Sequence, residues 1–464
     1  MTGAEPVRAA RPGPGAAPAP PGAGVTRYHA ALAWLDGAPA RDVLLEVADG
    51  RFTAVRPGHA APPDAERLPG IVLPGLANAH SHAFHRALRG RTHADRGTFW
   101  TWRERMYAVA ARLDPERYLA LATAVYAEMA LAGVTTVGEF HYLHHGPDGT
   151  PYGEPNAMGE ALVEAAARAG VRLTLLDTLY LSATVDGDPP QGVQRRFCDG
   201  TVDRWRARHA GLRERPHLRV GTAIHSVRAV PADALGEAVA GAAGGPLHLH
   251  LSEQRAENEA CRARYGRSPT ELLADHGVLG PGTTAVHATH LDGGDVALLG
   301  GAGTGVCLCP TTERDLADGI GPAGALAAAG CRLSLGSDSH AVVDLFEEAR
   351  GVELHERLAT QRRGHFAAGE LLRAAGSAGH AACGWPDAGT IAVGARADLV
   401  AVRLDTPRTA GVDPAGVVFA ATAADVAVVV ADGRAVVRDG RHVRVDVPAA
   451  LAAAVGAVTD GADR

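Results

Sequence analysis

Residues 74–82 read PGLANAHSH, and this stretch decides the fold because an apolar strand ends here in two histidines, His80 and His82. Side chains at positions i and i+2 of a strand face the same side, so both imidazoles point one way at the strand end. Taken alone, two histidines in a polar loop would be an equally good interpretation. The later strands of the chain decide between the two interpretations.

Three further stretches repeat the pattern of an apolar strand that ends in histidine or aspartate: LHLHLSE (247–253), VHATH (286–290) and LGSDSH (335–340). Imidazole nitrogens and a carboxylate oxygen suit Zn²⁺. A histidine of VHATH (286–290) and Glu253 are then left for proton transfer. Strand parity alone does not choose between His248 and His250. The four strand ends together predict one metal centre.

Short apolar strands alternate with helical stretches between residues 71 and about 384. Eight strands with intervening helices predict an α/β fold, a TIM-like (β/α)8 barrel, whose active sites form at the carboxyl ends of the strands. An open doubly wound sheet is the alternative, but no G-x-G-x-x-G fingerprint follows the early strands. The predicted strands end near His82, Phe140, Thr178, Ser226, Ser252, His290, Pro310 and Ser339.

Strand-rich segments with Asp-Gly turns flank this pattern on both sides. We expect them to form one small β-sandwich domain, because chain termini commonly lie close together. The sequence thus predicts a flexible Pro/Ala/Gly-rich extension (1–24), the first part of the small domain (25–70), the barrel (71–384), the second part of the small domain (385–447) and a C-terminal helical tail (448–464).

Composition narrows the function classes. The net charge of −7 argues against nucleic-acid or membrane-surface partners, and six cysteines without a paired framework suit a reducing, cytoplasmic compartment. No apolar run is long enough to span a membrane. The chain contains no lysine, so all 45 basic residues are arginine. The absence of lysine excludes a Schiff-base lysine, a P-loop lysine and a carboxylated lysine that bridges two metals. With nucleic-acid and membrane partners disfavoured by the charge, the expected partner is a small-molecule substrate.

In these motifs the chain resembles the amidohydrolase superfamily over nearly its whole length beyond the extension. The H-x-H pair, an H-x-x-E, an isolated histidine and a late aspartate occur in the order typical of that family, and GTIAVGARADLV (389–400) is similar to the returning strands of its small domain. The resemblance implies one Zn²⁺ per subunit, with Fe²⁺ or Mn²⁺ also tolerated by the ligands. It implies metal ligation by His80, His82, His250 and Asp338, and catalysis by Glu253 as proton shuttle, His287 in contact with the attacking oxygen, and Asp338.

More narrowly, five loop strings resemble the N-formimidoyl-L-glutamate deiminases of that superfamily: NAHSHAFHRALRGR (78–91), FWTWRERMY (99–107), GEFHYLHH (138–145), CPTTERDLADG (309–319) and GSDSH (336–340). The resemblance implies hydrolysis of N-formimino-L-glutamate to N-formyl-L-glutamate and ammonia, in histidine degradation, by a homodimer. Arginine suits such a substrate, because it binds carboxylates with two parallel hydrogen bonds. The implied substrate contacts are His85 (where many members have glutamine), Arg103, Tyr142, His225 and Arg228.

Two alternatives stay open on the sequence. A deaminase of a guanine- or cytosine-type ring, or an imidazolonepropionase, would use the same scaffold, and Phe84, Trp100 and Trp102 could form the stacking walls that a ring favours. A catalytically inactive barrel that only binds a ligand is the second alternative. Inactive relatives typically lose a metal ligand, whereas this chain keeps the complete set.

Overall fold

The computed structural model describes residues 24–93, 99–242 and 244–459. All but the last residue of the predicted extension (1–24), and residues 460–464 of the predicted tail, lie outside the described residues. Within the described part of the chain, no helix combines the length and the apolar character needed to cross a membrane.

The described chain forms sixteen strands and fourteen α-helices. The strands are β1 (Thr26–Leu35), β2 (Ala38–Ala48), β3 (Arg51–Arg56), β4 (Glu66–Pro74), β5 (Leu76–Ser81), β6 (Val134–His141), β7 (Arg172–Leu179), β8 (Leu218–Ile224), β9 (Leu247–Leu251), β10 (Thr283–His287), β11 (Gly305–Leu308), β12 (Leu333–Leu335), β13 (Leu399–Val402), β14 (Val426–Ala431), β15 (Arg434–Arg438) and β16 (Arg441–His442). The helices are α1 (Phe99–Arg112), α2 (Pro115–Leu131), α3 (Ala157–Ala169), α4 (Val202–His209), α5 (Ala232–Gly241), α6 (Arg255–Tyr265), α7 (Pro269–Asp275), α8 (Gly293–Gly301), α9 (Pro310–Asp315), α10 (Ala323–Ala328), α11 (Leu345–Thr360), α12 (Ala368–Arg373), α13 (Gly379–Ala382) and α14 (Val447–Thr459).

Strands β5 to β12 form one parallel sheet in sequential order, with helices between successive strands. Every residue of β6 and β7 is buried, because helices cover the outer face of the sheet while side chains fill its interior. This confirms the predicted α/β fold, a TIM-like (β/α)8 barrel.

The barrel closes where its first and last strands meet. Ser81, at the end of β5, forms a parallel bridge with Asp338, which follows β12. Two backbone hydrogen bonds reinforce the bridge: Asp338 N donates to His80 O at 3.0 Å, and His82 N donates to Asp338 O at 3.2 Å. The closure therefore fixes, in one place, three of the four residues that the sequence predicts as metal ligands.

The flanking segments form a single mixed sheet in the order β16-β15-β14-β13-β4-β1-β2-β3. Its two halves join where β13 runs antiparallel to β4, with Leu399 opposite Pro74. Apolar side chains from both halves, including Phe52 and Val430, share one core, as expected for the small β-sandwich domain. Strand β4 crosses the boundary predicted between residues 70 and 71 and runs on to Pro74, because it pairs with β13 over residues 71–74.

A buried ion-pair network joins the barrel to the small sheet at the amino-terminal ends of the barrel strands. Arg172, the first residue of β7, donates to Asp398 Oδ1 at 3.0 Å and to Asp432 Oδ1 at 2.9 Å. It also donates to Thr136 Oγ1 at 2.9 Å. We call this network the junction.

Candidate active site

Four side chains from the first, fifth and eighth barrel strands converge at the carboxyl ends of the strands. Their ligand atoms all lie within 4.8 Å of one another: His80, His82, His250 and Asp338. The Nε2 atom of His250 is 3.2 Å from that of His80 and 3.4 Å from that of His82. Asp338 Oδ1 lies 3.2 Å from His80 Nε2 and 3.3 Å from His82 Nε2. We call these four residues the ligand cluster.

The hydrogen bonds of two of these histidines fix which ring nitrogen faces the cluster. His82 Nδ1 lies 2.9 Å from Phe140 O, and His250 Nδ1 lies 2.8 Å from His225 O. A carbonyl only accepts, so each Nδ1 carries the proton. Burial lowers the pKa of both rings well below its ordinary value, so the rings are neutral and Nε2 is a bare acceptor.

The bare Nε2 atoms of His82 and His250 face each other at 3.4 Å, and the Asp338 carboxylate lies 3.3 Å from His82 Nε2. These acceptors suit a cation at their centre. In a tetrahedral zinc site with bonds of roughly 2.0–2.1 Å, neighbouring ligand atoms lie about 3.3–3.4 Å apart. The distances of 3.2–3.4 Å in the cluster match this spacing. The carbonyl partner on the opposite ring nitrogen is also typical of metal-binding histidines. The residues present therefore fit a divalent metal ion.

A buried carboxyl group behind β5 holds the strand end in place. Glu139 accepts from Ala83 N and from Ser81 Oγ, both at 2.7 Å. Ser81 Oγ lies 3.0 Å from His340 Nε2. Burial raises the pKa of Glu139 to about 7. Sequence reasoning did not single out Glu139, although it lies in the quoted string GEFHYLHH at the end of β6.

The backbone at the site adopts conformations that most residues avoid. Five residues here that are not glycine have positive φ angles: 50° at Ser252, 69° at His287, 52° at Ala288, 38° at Asp338 and 58° at His340. Such conformations cost on the order of 1 kcal/mol or more each and persist where surrounding structure imposes them. The barrel thus keeps strained backbone at the ends of β9, β10 and β12, where it aims side chains into the site.

The predicted proton-transfer residues surround the open side of the ligand cluster. His287 Nε2 is 3.8 Å from Glu253 Oε1 and 3.9 Å from Asp338 Oδ2. Burial raises the pKa of the Glu253 carboxyl group, and the charge of Asp338 raises it further, against the opposing effect of His287. For His287, burial lowers the pKa, but Glu253 and the other nearby carboxylates outweigh it and hold the pKa well above its ordinary value.

Three predicted substrate contacts lie against the cluster as a wall of rings. His85 Nε2 is 2.9 Å from the Tyr142 hydroxyl, and the Tyr142 ring is 5.2 Å from the His82 ring. The His225 ring is 5.4 Å from Tyr142 and 5.2 Å from His250. The structure therefore brings His85, Tyr142 and His225 together beside the cluster.

Arg228 follows β8 and lies beside this wall, where its guanidinium group interacts with the Tyr180 hydroxyl and, at longer range, with the Glu257 carboxyl group. No carboxylate oxygen of a described residue is within 4.0 Å of its guanidinium group. Its charge nevertheless acts on Glu253 and on His225, so it lies close to the reacting centre. Because Arg228 is half-buried and no carboxylate contacts it directly, the anion of a bound ligand would be a favourable partner for its charge.

The other arginines of these loops have different surroundings. Arg103, on α1, lies 5.7 Å from the Tyr107 ring, and its charge and that of Arg228 both act on the Tyr107 hydroxyl. Arg86 and Arg89 both pair with Glu128 at 2.7 Å. The structure therefore places Arg103 and Arg228 close to one tyrosine, and it gives Arg86 and Arg89 a structural partner.

Sequence reasoning missed two further residues of this region, Tyr180 and Gln194. Tyr180 is the first residue after β7, its ring lies 4.9 Å from that of His225, and its hydroxyl accepts from Gln194 Nε2 at 3.0 Å. Position at the carboxyl end of a barrel strand was the available signal for Tyr180. Gln194 lies in a long connection, and no sequence pattern marks it.

A (β/α)8 barrel that gathers three imidazoles and a carboxylate at the carboxyl ends of its strands has the architecture of a hydrolase built around a metal site. The profile of the amidohydrolase family matches residues 71–436. The chain therefore belongs to the amidohydrolase family, and it is an enzyme of the hydrolase class.

Individual relatives agree with this assignment. The chain is 39% identical over 389 residues to the formimidoylglutamate deiminase of Pseudomonas aeruginosa, which covers 81% of this chain and 85% of the relative. The solved structure of an amidohydrolase from Brucella melitensis superposes with a TM-score of 0.85 at 34% identity, over 93% of this chain and 99% of that one. An adenosine deaminase from Xanthomonas campestris with bound zinc gives a TM-score of 0.81 at 25% identity, over 93% and 97%.

Proposed function

We propose that the chain is a zinc-dependent deiminase that hydrolyses N-formimino-L-glutamate to N-formyl-L-glutamate and ammonia, a step of histidine degradation. The observation that carries the substrate assignment is Arg228, a cation without a close carboxylate partner beside the ligand cluster. The substrate has two carboxylates, which would supply the missing anion. The P. aeruginosa relative, named a formimidoylglutamate deiminase, supports the same substrate.

Zinc is the proposed metal, held by His80, His82, His250 and Asp338. The bound zinc of the X. campestris relative supports this choice, although three imidazoles and a carboxylate also accept Fe²⁺ or Mn²⁺. The chemistry that such an ion supplies is to lower the pKa of a bound water toward roughly 7.

The chain's own acids and bases would handle the protons. Asp338 and His287, with Oδ2 and Nε2 at 3.9 Å, face the same space and would orient the attacking water, whose proton Asp338 takes. Glu253 would deliver its proton to the imino nitrogen of the substrate, then take up the remaining hydrogen of the added water and pass it to the departing amine, so that ammonia leaves as a neutral molecule. The proton held by Asp338 would restore the proton of Glu253 for the next turnover. A carboxyl group with a raised pKa, as burial gives Glu253, suits this shuttle.

The remaining predicted contacts would orient the substrate. Arg103 and Arg228 would bind its carboxylates, while His85, Tyr142 and His225 form the wall beside the formimino carbon. Positioning of this kind accelerates reaction by holding the reacting atoms together.

The test is ammonia release from N-formimino-L-glutamate by zinc-loaded protein, measured beside guanine, cytosine and adenosine. We expect turnover of the formimino compound, loss of turnover on chelation, and recovery on adding zinc. Turnover of a ring alone would show that the substrate assignment is wrong.

A ring deaminase is the second candidate, because aromatic side chains do line the site. The Phe140 ring lies 4.4 Å from the His250 ring, and Tyr142 lies 5.4 Å from His225. The relative from X. campestris is named an adenosine deaminase. Arg228 counts against this candidate, since a neutral ring offers no anion to it.

We also propose that the protein is a homodimer, as the family resemblance implies. Light scattering of the purified protein would give twice the subunit mass of 47.8 kDa if it is correct.

A further inference from the structure

A buried tyrosine next to Arg228 has an unusual hydrogen-bond arrangement. Tyr180 is 2% exposed, and its hydroxyl oxygen accepts from Gln194 Nε2 at 3.0 Å. Gln194 is itself fixed, because its Oε1 accepts from Gln191 N at 3.2 Å. A tyrosine oxygen that accepts a hydrogen bond still has its own hydrogen to donate. Among the described residues, no acceptor for that hydrogen is found.

The surroundings of Tyr180 show where this hydrogen is needed. The Tyr180 ring packs against His225 at 4.9 Å, and the Arg228 guanidinium interacts with the Tyr180 hydroxyl. Gln194 and Arg228 therefore both approach the oxygen, and the O–H is left to point away from them. An acceptor placed beside Arg228 would receive it.

Tyr107 adds a second hydroxyl to the same place. Arg103 lies 5.7 Å from its ring, and the Tyr107 hydroxyl interacts with Tyr180 and with Gln194. Burial raises the pKa of Tyr107, so its hydroxyl keeps its proton and remains a donor. The hydroxyl groups of Tyr107 and Tyr180 and the guanidinium groups of Arg103 and Arg228 thus lie close to one another.

We propose that Tyr180, oriented by Gln194, determines specificity by donating its O–H to a carboxylate bound at Arg228, with Tyr107 as the second hydroxyl donor. The ligand class is a short dicarboxylate. The inference deepens the proposed function and rests on it, because one carboxylate of N-formimino-L-glutamate would occupy this subsite. A hydrogen bond to a charged group of this kind contributes roughly 10-fold to 100-fold to affinity.

Glutarate, a five-carbon dicarboxylate without a reactive group, is the binding probe. Its dissociation constant would be measured by calorimetry on the zinc-loaded wild-type enzyme and on Tyr180→Phe, Gln194→Leu and Tyr265→Phe. We expect about 10-fold or greater weakening in the first two variants. Tyr265→Phe is the matched control and should leave binding unchanged, since Val185 O, at 3.4 Å, is the one hydrogen-bond partner of the Tyr265 hydroxyl among the described residues.

Kinetics separate a role in binding from a general effect on structure. With N-formimino-L-glutamate we expect Tyr180→Phe to raise KM about 10-fold while kcat stays within about twofold, the pattern of lost uniform binding. Zinc content and melting temperature should match the wild type. If Gln194→Leu does not fold, Tyr180→Phe decides the question alone.

The outcomes distinguish this inference from the proposed function. A wild-type enzyme that binds glutarate through Tyr180 but releases no ammonia from the formimino compound would refute the proposed reaction and keep the subsite. Glutarate binding that is absent, or equally tight in Tyr180→Phe, would overturn the subsite even if the enzyme deiminates N-formimino-L-glutamate.

Discussion

Arg172 and Arg228 lie at opposite ends of the barrel, and they differ in what neutralises them. Arg172, at the junction, is 1% exposed and pairs with two carboxylates, Asp398 and Asp432. Arg228, beside the ligand cluster, has no carboxylate of a described residue within 4.0 Å. Enclosure of a charge therefore does not by itself mark a functional site in this chain, whereas the lack of a carboxylate in direct contact with the charge does.

The same contrast extends to the groups around each arginine. At the junction the partners are satisfied in turn: Asp398 also accepts from Thr135 Oγ1 at 3.1 Å and from Asp432 N at 2.9 Å. At the mouth of the barrel, bare imidazole nitrogens face each other. In this fold, residues at the amino-terminal ends of the barrel strands are expected to stabilise the protein, and residues at the carboxyl-terminal ends are expected to carry out the chemistry.

The largest effect is expected from Glu253→Gln at the mouth. The amide keeps the shape of the side chain but cannot shuttle a proton, so kcat should fall roughly 10²-fold to 10⁴-fold. Zinc content and melting temperature should not fall, because Glu253 is outside the ligand cluster. The measurement is steady-state ammonia release with metal analysis of the same sample. Near-normal turnover with zinc bound would remove Glu253 from the mechanism.

Arg228→Met tests the unpaired arginine directly. We expect kcat/KM for N-formimino-L-glutamate to fall roughly 30-fold to 10³-fold, the effect of leaving a buried ligand charge without its partner. Stability should stay level or rise, because the variant removes a half-buried cation that no carboxylate contacts directly. Thermal unfolding measured beside the kinetics checks both parts. A variant with intact kcat/KM and a much lower melting temperature would give Arg228 the structural role of Arg172.

Arg172→Met is the matched variant at the other end. Its loss leaves Asp398 buried without its cation, which should lower the free energy of unfolding by about 3–5 kcal/mol. The kcat/KM of the folded fraction should remain within about threefold of the wild type, because the junction lies far from the ligand cluster. Urea unfolding monitored by circular dichroism is the measurement. A variant that is as stable as the wild type but weakly active would contradict the structural role assigned to Arg172.

Much of the fold could be predicted from sequence because its signals are local. Each apolar strand carries its own pattern, so eight of them could be read in order, and the H-x-H pair marks the end of the first. Strand parity did not choose between His248 and His250; the spacing to Glu253 favoured His250, and the structure places His250 in the cluster. His248 instead lies 2.9 Å from Ala382 O, buried inside the barrel.

The unpredicted parts depend on contacts between distant segments. Glu139 acts through Ser81, 58 residues earlier in the chain, and no spacing rule connects them. The extension of β4 to Pro74 follows from its pairing with β13, more than 300 residues away. Residue type alone likewise could not separate Arg86 from Arg228 in a chain whose only basic residues are arginine and histidine. The family resemblance pointed to Arg228, but only the fold shows that Arg86 is paired with Glu128.

The smallest expected effect is a pH dependence confined to the junction. Burial raises the pKa of Asp398, but Arg172 outweighs it and holds the pKa below its ordinary value. A carboxyl group with a lowered folded-state pKa stabilises the fold above its unfolded pKa, about 3.9, and this contribution is lost as the pH falls through the folded-state value. In Arg172→Met, by contrast, burial without the cation raises the pKa of Asp398, so the variant recovers stability as this carboxyl group is protonated. The difference in unfolding free energy between wild type and Arg172→Met should therefore be largest near pH 8 and shrink on acidification, to its smallest value below about pH 4. Groups at the mouth titrate alike in both proteins and cancel in the difference. A difference that stays constant from pH 8 down to pH 4 would mean that Asp398 is not the group that Arg172 stabilises.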